Sequence, residues 1–297
     1  MQVRSRFDRC KNMRKTERQL LPSSFGDRLV KTFATSGQLC VGMDPSVEQL
    51  KQWGLAETVA GAEQFCMQII DSCSGEIGLL KPQVSFFEQF GSEGFAALER
   101  VLVRASEAGF IVLADAKRGD IGTTMDGYAR AWLSTEGPFV ADAVTVSPYL
   151  GAESLDPTIA FASSNSKGVF ILAATSNPEG KVLQSSVSEN QRSIASNVAS
   201  YAAGFNKKSL GTVGLVIGAQ ANLIDMAIET KRLVHTPILA PGFGAQGAKL
   251  SNARSIFGEL AEVTIFSVSR SVAGESPVGL RDRVQSARAE LEIGLSR

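Results

Sequence analysis

Residues 111–120 read Ile-Val-Leu-Ala-Asp-Ala-Lys-Arg-Gly-Asp, an apolar run that breaks into alternating charge with a glycine inside it. An extended segment sends successive side chains to opposite faces. Asp115 and Lys117 are therefore expected on the face of Ile111 and Leu113, with Arg118 turned away. Gly119 permits a sharp turn, after which Asp120 returns a second carboxylate towards Lys117 or towards a neighbouring chain. Charges held this close shift one another's proton affinity, as acid-base chemistry requires. The same residues also fit a solvated strand end carrying a surface ion pair.

Seven further apolar runs flank this one: Leu39–Met43, Gly78–Lys81, Ala143–Val146, Val169–Ala173, Val213–Ile217, Ile238–Ala240 and Thr264–Val268. Stretches with apolar residues at helical spacing separate several of them: Leu55–Cys73, Gly94–Ala108, Asn190–Tyr201 and Ala219–Thr230. The runs are continuous rather than alternating, as parallel strands covered by helices require. Eight βα units predict an α/β fold, a closed (β/α)8 TIM barrel, with its site at the C-terminal strand ends. Polar residues collect there: Asp44, Lys81, Asp115 with Lys117, Ser147, Thr175 with Asn177, Gly242 with Gln246, and Arg270.

The rest of the chain narrows the classes of function. Its 297 residues are 44% hydrophobic, and 30 basic residues offset 30 acidic ones. No global field draws nucleic acid or an anionic membrane, and no apolar stretch approaches the roughly twenty residues that span a bilayer. Residues 1–24 read as a basic, poorly ordered tail, with Arg4, Arg6, Arg9, Lys11, Arg14, Lys15 and Arg18 against Asp8 and Glu17. They lack the apolar core of a secretory signal, although an organelle transit segment has similar composition. Residues 25–297 are expected to form one barrel domain. Cys10, Cys40, Cys66 and Cys73 form no CxxC pair and favour reduced thiols in a cytoplasmic setting. The single histidine, His235, lies between elements and reads as structural, which leaves little support for histidine-based triads or metal sites.

Pro241-Gly242-Phe243-Gly244-Ala245-Gln246-Gly247 follows the seventh run and is expected to precede a helix. Its glycines let backbone N–H groups approach an anion, and Arg270 after the eighth run adds a guanidinium, a combination suited to phosphate. A plain turn has the same composition. Lys81, Lys117, Asp44, Asp115 and Asp120 would face one mouth as an alternating array, suited to placing an ammonium beside a developing carbanion.

Five segments together resemble the orotidine 5′-monophosphate decarboxylases of the bacterial-type second class. They are Val41–Ser46, Leu80–Gln83 with Phe86–Glu88, Asp115–Thr124, Ser147–Gly151 and Ala240–Gly244. The resemblance runs from Phe25 to Val272. It implies a homodimer that converts orotidine 5′-monophosphate (OMP) to UMP and CO2 with no metal or organic cofactor, in the last step of de novo pyrimidine nucleotide synthesis. It implies Lys117 as proton donor to C6, Asp115 beside the departing carboxylate, and Asp44 and Lys81 on the ribose hydroxyls. Asp120, Ile121 and Thr124 would come from the neighbouring chain, Ser147 would contact the pyrimidine, and Gly244, Gln246 and Arg270 would hold the phosphate. Ser269 departs from the glycine expected before the phosphate arginine; its side chain either crowds the phosphate or donates to it. Thr175 and Asn177 receive no chemical role.

Three other readings share features of this sequence. Related sugar-phosphate enzymes carry the same DxKxxD pattern but hold magnesium with an acidic residue where this chain has Lys81. A Schiff-base aldolase would use Lys81 or Lys117 as nucleophile, against the carboxylates that keep such a lysine protonated. A barrel that only binds would not need Asp115, Lys117 and Asp120 together.

Overall fold

The computed structural model describes residues 23–296. Most of the basic tail, including Cys10, lies outside them. Eight parallel strands close into a barrel in sequence order. They are β1 (Leu39–Met43), β2 (Leu79–Pro82), β3 (Ile111–Arg118), β4 (Ala143–Val146), β5 (Gly168–Ala174), β6 (Val213–Ile217), β7 (Ile238–Ala240) and β8 (Thr264–Val268). β1 pairs with β8 through Leu39–Phe266, Cys40–Ser267 and Val41–Val268, which completes the ring. Nearly every strand residue is buried, as expected of strands packed on both faces.

The helices are α1 (Phe25–Ser36), α2 (Val47–Gln52), α3 (Val59–Cys73), α4 (Ser85–Glu88), α5 (Gly91–Glu107), α6 (Gly122–Leu133), α7 (Asp156–Ser164), α8 (Pro178–Ser185), α9 (Ile194–Phe205), α10 (Ala253–Phe257), α11 (Arg270–Ala273) and α12 (Leu280–Ser296). Their starts follow side-chain caps that periodicity alone does not place. Thr58 accepts from the Gly61 N–H and starts α3, whereas Ser193 accepts from the Ser196 N–H and starts α9.

Two expectations about the connections fail. Ala219–Thr230 is not a helix. The Asn222 side chain accepts from the N–H groups of Ile224 and Asp225, and Ala227 at φ 50° ends the single turn. Ile228 N–H then bonds to Leu223 O and Ala227 N–H to Ile224 O, a Schellman stop. The glycine loop after β7 does not run directly into a helix either. A bridge between Phe243 and Ala248 folds it back on itself, and a 3-10 turn at Leu250–Asn252 precedes the five-residue α10.

The end of the barrel opposite the mouth is sealed by α1. A capping box between Ser24 and Asp27 starts this helix. Phe25, fully buried, stands edge-on to Phe170 with ring centroids 6.0 Å apart, and Gly168 leaves the space its ring occupies. Arg28 pairs with Asp142, whose other oxygen accepts from the Val112 N–H, so α1 is tied to the entries of β3 and β4. His235 also lies away from the mouth, ahead of β7, where its carbonyl accepts from the Gly211 N–H. Cys40, Cys66 and Cys73 are buried free thiols, and burial pushes those of Cys40 and Cys73 up to about 12.

Truncating the floor plug leaves a cavity that the surrounding strand backbone cannot collapse into. Phe25→Ala is expected to cost about 3–5 kcal/mol in denaturant unfolding and Phe25→Leu less than half of that, without loss of the native barrel.

Candidate active site

The charged centre grows out of an irregularity in β3. Ala114 pairs with Val144 and Arg118 with Val146, so four steps along β3 match two along β4. The extra residues bulge at the strand end, and Lys117 takes a left-handed backbone conformation with φ 49°. Simple alternation is broken here, yet Asp115 and Lys117 still converge. Lys117 Nζ lies 2.7 Å from Asp115 Oδ1, and Lys81 Nζ, arriving from β2, lies 3.0 Å from Asp115 Oδ2. Lys117 Nζ is also 3.4 Å from Gln83 Oε1. Arg118 does turn away, pairing with Glu88 and standing 5.5 Å over the Tyr128 ring.

Electrostatics keep Asp115 and Lys81 ionised. Burial alone would push the Asp115 carboxyl up, but the Lys81 and Lys117 ammoniums, with their hydrogen bonds, hold it well below the usual carboxylate range. Burial likewise pulls the Lys81 ammonium down, and Asp115, followed by Asp44, more than compensates and raises it. A lysine held protonated in this way is a poor Schiff-base nucleophile.

These groups border a cavity of about 370 Å³ at the C-terminal ends of the strands. Asp44, Lys81, Asp115 and Lys117 form its charged side, and Leu172, Val216 and Leu239 supply apolar wall. Asp44 Oδ1 is buried without a hydrogen-bond partner, an unpaired acceptor at the edge of the cavity. Gln246 and Arg270 also line the cavity. The N–H groups of Ala245 and Gln246 find no acceptor among the described residues, whereas those of Gly244, Gly247 and Ala248 are used within the loop. Arg270 begins α11, whose last carbonyls are gripped from behind: Arg283 donates to Val272 O and Ala273 O at 2.7 and 2.8 Å. Ser269 nests against Gly42, where an added Cβ would come within 2.8 Å of the serine Cβ.

The site residues expected from sequence divide into two groups. Asp44, Lys81, Asp115, Lys117, Gln246 and Arg270 share the cavity. Asp120, Ile121, Thr124, Ser147 and Gly244 are not in its wall. Asp120 accepts from its neighbour's N–H, that of Ile121, and Ile121 is 58% exposed at the start of α6. Ser147 packs against Gly119, and a Cβ on Gly244 would strike Ser271 Oγ on the far side of the loop. The sequence reading missed Gln83, Ser176 and Ser267 as wall residues and gave no weight to Thr145, whereas Ser269, expected beside the phosphate, does line the cavity. Gln83 had a usable signal, since it lies two residues beyond Lys81.

The sequence matches the Orotidine 5′-phosphate decarboxylase / HUMPS family over residues 37–279. A relative named orotidine 5′-phosphate decarboxylase from Corynebacterium glutamicum is 42% identical over 261 residues, covering 86% of this chain and 92% of its own. A crystal structure from Streptomyces avermitilis superposes with a TM-score of 0.88 at 38% identity, over 93% of this chain and 97% of that one. The OMP decarboxylase of Leishmania donovani has a TM-score of 0.67 at 31% identity, over 91% and 100%.

The linkage of the central carboxylate to folding has a definite sign. Asp115 is depressed in the fold, so its contribution is complete above the unfolded carboxyl value of about 3.9 and is lost as pH falls from there towards the folded value. Lys81 is raised, so its contribution is complete below about 10.4 and is lost as pH rises through the folded value. Asp115→Asn is expected to cost about 3–5 kcal/mol near neutral pH and to flatten the acid limb of the stability curve. Denaturant titrations across pH check both; an unaltered acid limb would contradict the assignment. With its charge array, its unpartnered acceptor and its sequence matches in agreement, the chain belongs to the Orotidine 5′-phosphate decarboxylase / HUMPS family.

Proposed function

We propose that the chain decarboxylates OMP to UMP and CO2, in the last step of de novo pyrimidine nucleotide synthesis. The carrying observation is the Lys81–Asp115–Lys117 array at the edge of a cavity whose other lining includes Arg270 and the glycine loop. The phosphate binds at Arg270, Gln246 and the loop N–H groups, and the Asp44 carboxylate with Lys81 takes the ribose hydroxyls. The pyrimidine then lies with C6 towards Lys117. The C6–carboxylate bond breaks, CO2 departs, and the electron pair left on C6 takes a proton from Lys117 Nζ. The lysine recovers its proton from solvent. A fixed ammonium close to the developing carbanion stabilises it without reorganisation at the moment of reaction.

The other branch of the family handles sugar phosphates with magnesium, for which an acidic residue at the end of β2 is needed. Lys81 fills that place with an ammonium bonded to Asp115, so the residues present do not fit a metal there. No cofactor enters the proposed reaction. Residues 25–297 act as one catalytic domain in a cytoplasmic enzyme, a setting that the free thiols of Cys40, Cys66 and Cys73 support. Among the described residues no helix is long and apolar enough to cross a membrane.

The proposed enzyme is a homodimer with shared sites. The exposure of Ile121, and the absence of Asp120 and Thr124 from their own chain's cavity wall, support their delivery to the neighbouring chain's site. Ser147 and Gly244 act from outside the wall, one towards the pyrimidine once substrate is bound and the other by shaping the phosphate loop.

Lys117→Ala is expected to abolish OMP consumption, followed by ultraviolet absorbance with chelator present, while UMP still binds; turnover like that of the unaltered protein would refute the role. Asp120→Ala and Lys117→Ala homodimers, each nearly inactive, are expected to regain about a quarter of full activity once their chains are mixed to equilibrium, because half the dimers are then mixed and each holds one intact site. No recovery despite verified exchange would contradict shared sites.

A further inference from the structure

Thr145 stands opposite the bulge in β3, on the neighbouring strand β4, and is 1% exposed. Its hydroxyl does two things at once. It donates to Asp115 Oδ1 at 2.9 Å and accepts from the backbone N–H of Lys117 at 2.9 Å. The same Asp115 oxygen receives the Lys117 ammonium at 2.7 Å. Hydroxyl, carboxylate, ammonium and the lysine's own backbone thus close a ring around one side chain.

The physical need for such a ring lies in the backbone. Left-handed φ is unfavourable for a non-glycine residue, and Lys117 adopts it where the ladder between β3 and β4 is interrupted. An N–H released from a ladder requires another acceptor, and Thr145 Oγ1 provides it. The hydroxyl proton is then directed to Asp115, which fixes the carboxylate oxygen against which the ammonium rests. We propose that Thr145 is a positioning residue that sets where the Lys117 ammonium stands over the cavity. This rests on the reading of Lys117 as proton donor to C6.

The chemistry narrows the side chains that suffice. The position needs a donor and an acceptor on one atom in the space of a methyl group. Serine supplies both; valine has threonine's shape and supplies neither; cysteine is close to serine in size but bonds weakly. A buried threonine serving only to fill space would rank these replacements by volume instead.

The test is steady-state kinetics on OMP for the unaltered protein and for Thr145→Ser, Thr145→Cys and Thr145→Val, with UMP affinity and thermal unfolding measured on the same preparations. A displacement of about 1 Å at a reacting group costs on the order of 100-fold. The valine and cysteine variants are therefore expected to lose about 10- to 100-fold in kcat, with KM and UMP affinity within about threefold. The serine variant is expected to stay within about threefold of the unaltered protein in kcat. A folded valine variant with normal kcat overturns the proposal, as does a cysteine variant equal to serine, or losses confined to KM and UMP affinity. If the valine variant does not fold, the serine and cysteine pair decides. Absent turnover in the unaltered protein overturns the decarboxylase reading and this proposal with it, whereas normal turnover with insensitive variants overturns this proposal alone.

Discussion

A carboxylate buried between two ammoniums is the constraint around which the mouth of this barrel is organised. Removing a single charge from water costs several kcal/mol even after the protein relaxes, so Asp115 remains ionised only because Lys81 and Lys117 meet its two oxygens separately. The three groups reach one another because β2 and β3 are parallel neighbours whose C-terminal ends open on the same side. Thr145, one strand further on, adds a neutral donor to the more crowded oxygen. The array is therefore a product of strand order as much as of residue choice.

The cavity's polar groups differ in how fully they are satisfied, and the difference follows their work. Asp115 accepts from Lys81, Lys117 and Thr145 inside the protein, which fixes it before any ligand arrives, whereas Lys81 donates to Asp115 and keeps further donors. Asp44 Oδ1 and the N–H groups of Ala245 and Gln246 have no partner among the described residues. A buried polar atom without a partner, such as Asp44 Oδ1, is uncommon in native proteins, whereas Ala245 and Gln246 are exposed and their N–H groups meet water. Arg283, behind α11, bonds backbone carbonyls and steadies the helix that presents Arg270. Ser269 is accommodated by Gly42 on β1, since any larger residue there would collide with it.

The strands were legible because burial on both faces demands unbroken apolar runs, and five of the eight runs expected from sequence match β1, β4, β6, β7 and β8 residue for residue. The connections were harder. Ala219–Thr230 has helical spacing, but the Asn222 side chain competes for the backbone donors and Ala227 reverses the chain. Hydrophobic periodicity is blind to that local bonding. The glycine loop lies at the mouth, as its place after the seventh run predicts, yet its internal bridge leaves no mark in its composition.

The sequence by itself determined the eight-stranded order, the polar strand ends and the identity of the charges, because these depend on period, burial and residue type within short segments. Tertiary structure decided which charges touch. The β3 bulge, the left-handed turn at Lys117 and the Thr145 bridge arise from pairing with β4, and the separation of Asp120, Ile121 and Thr124 from their own cavity arises from the course of the chain into α6. A strand's neighbour is chosen by the closed barrel, so contacts between residues 28 or 34 positions apart, Lys117 with Thr145 and Lys81 with Asp115, are set by no local pattern.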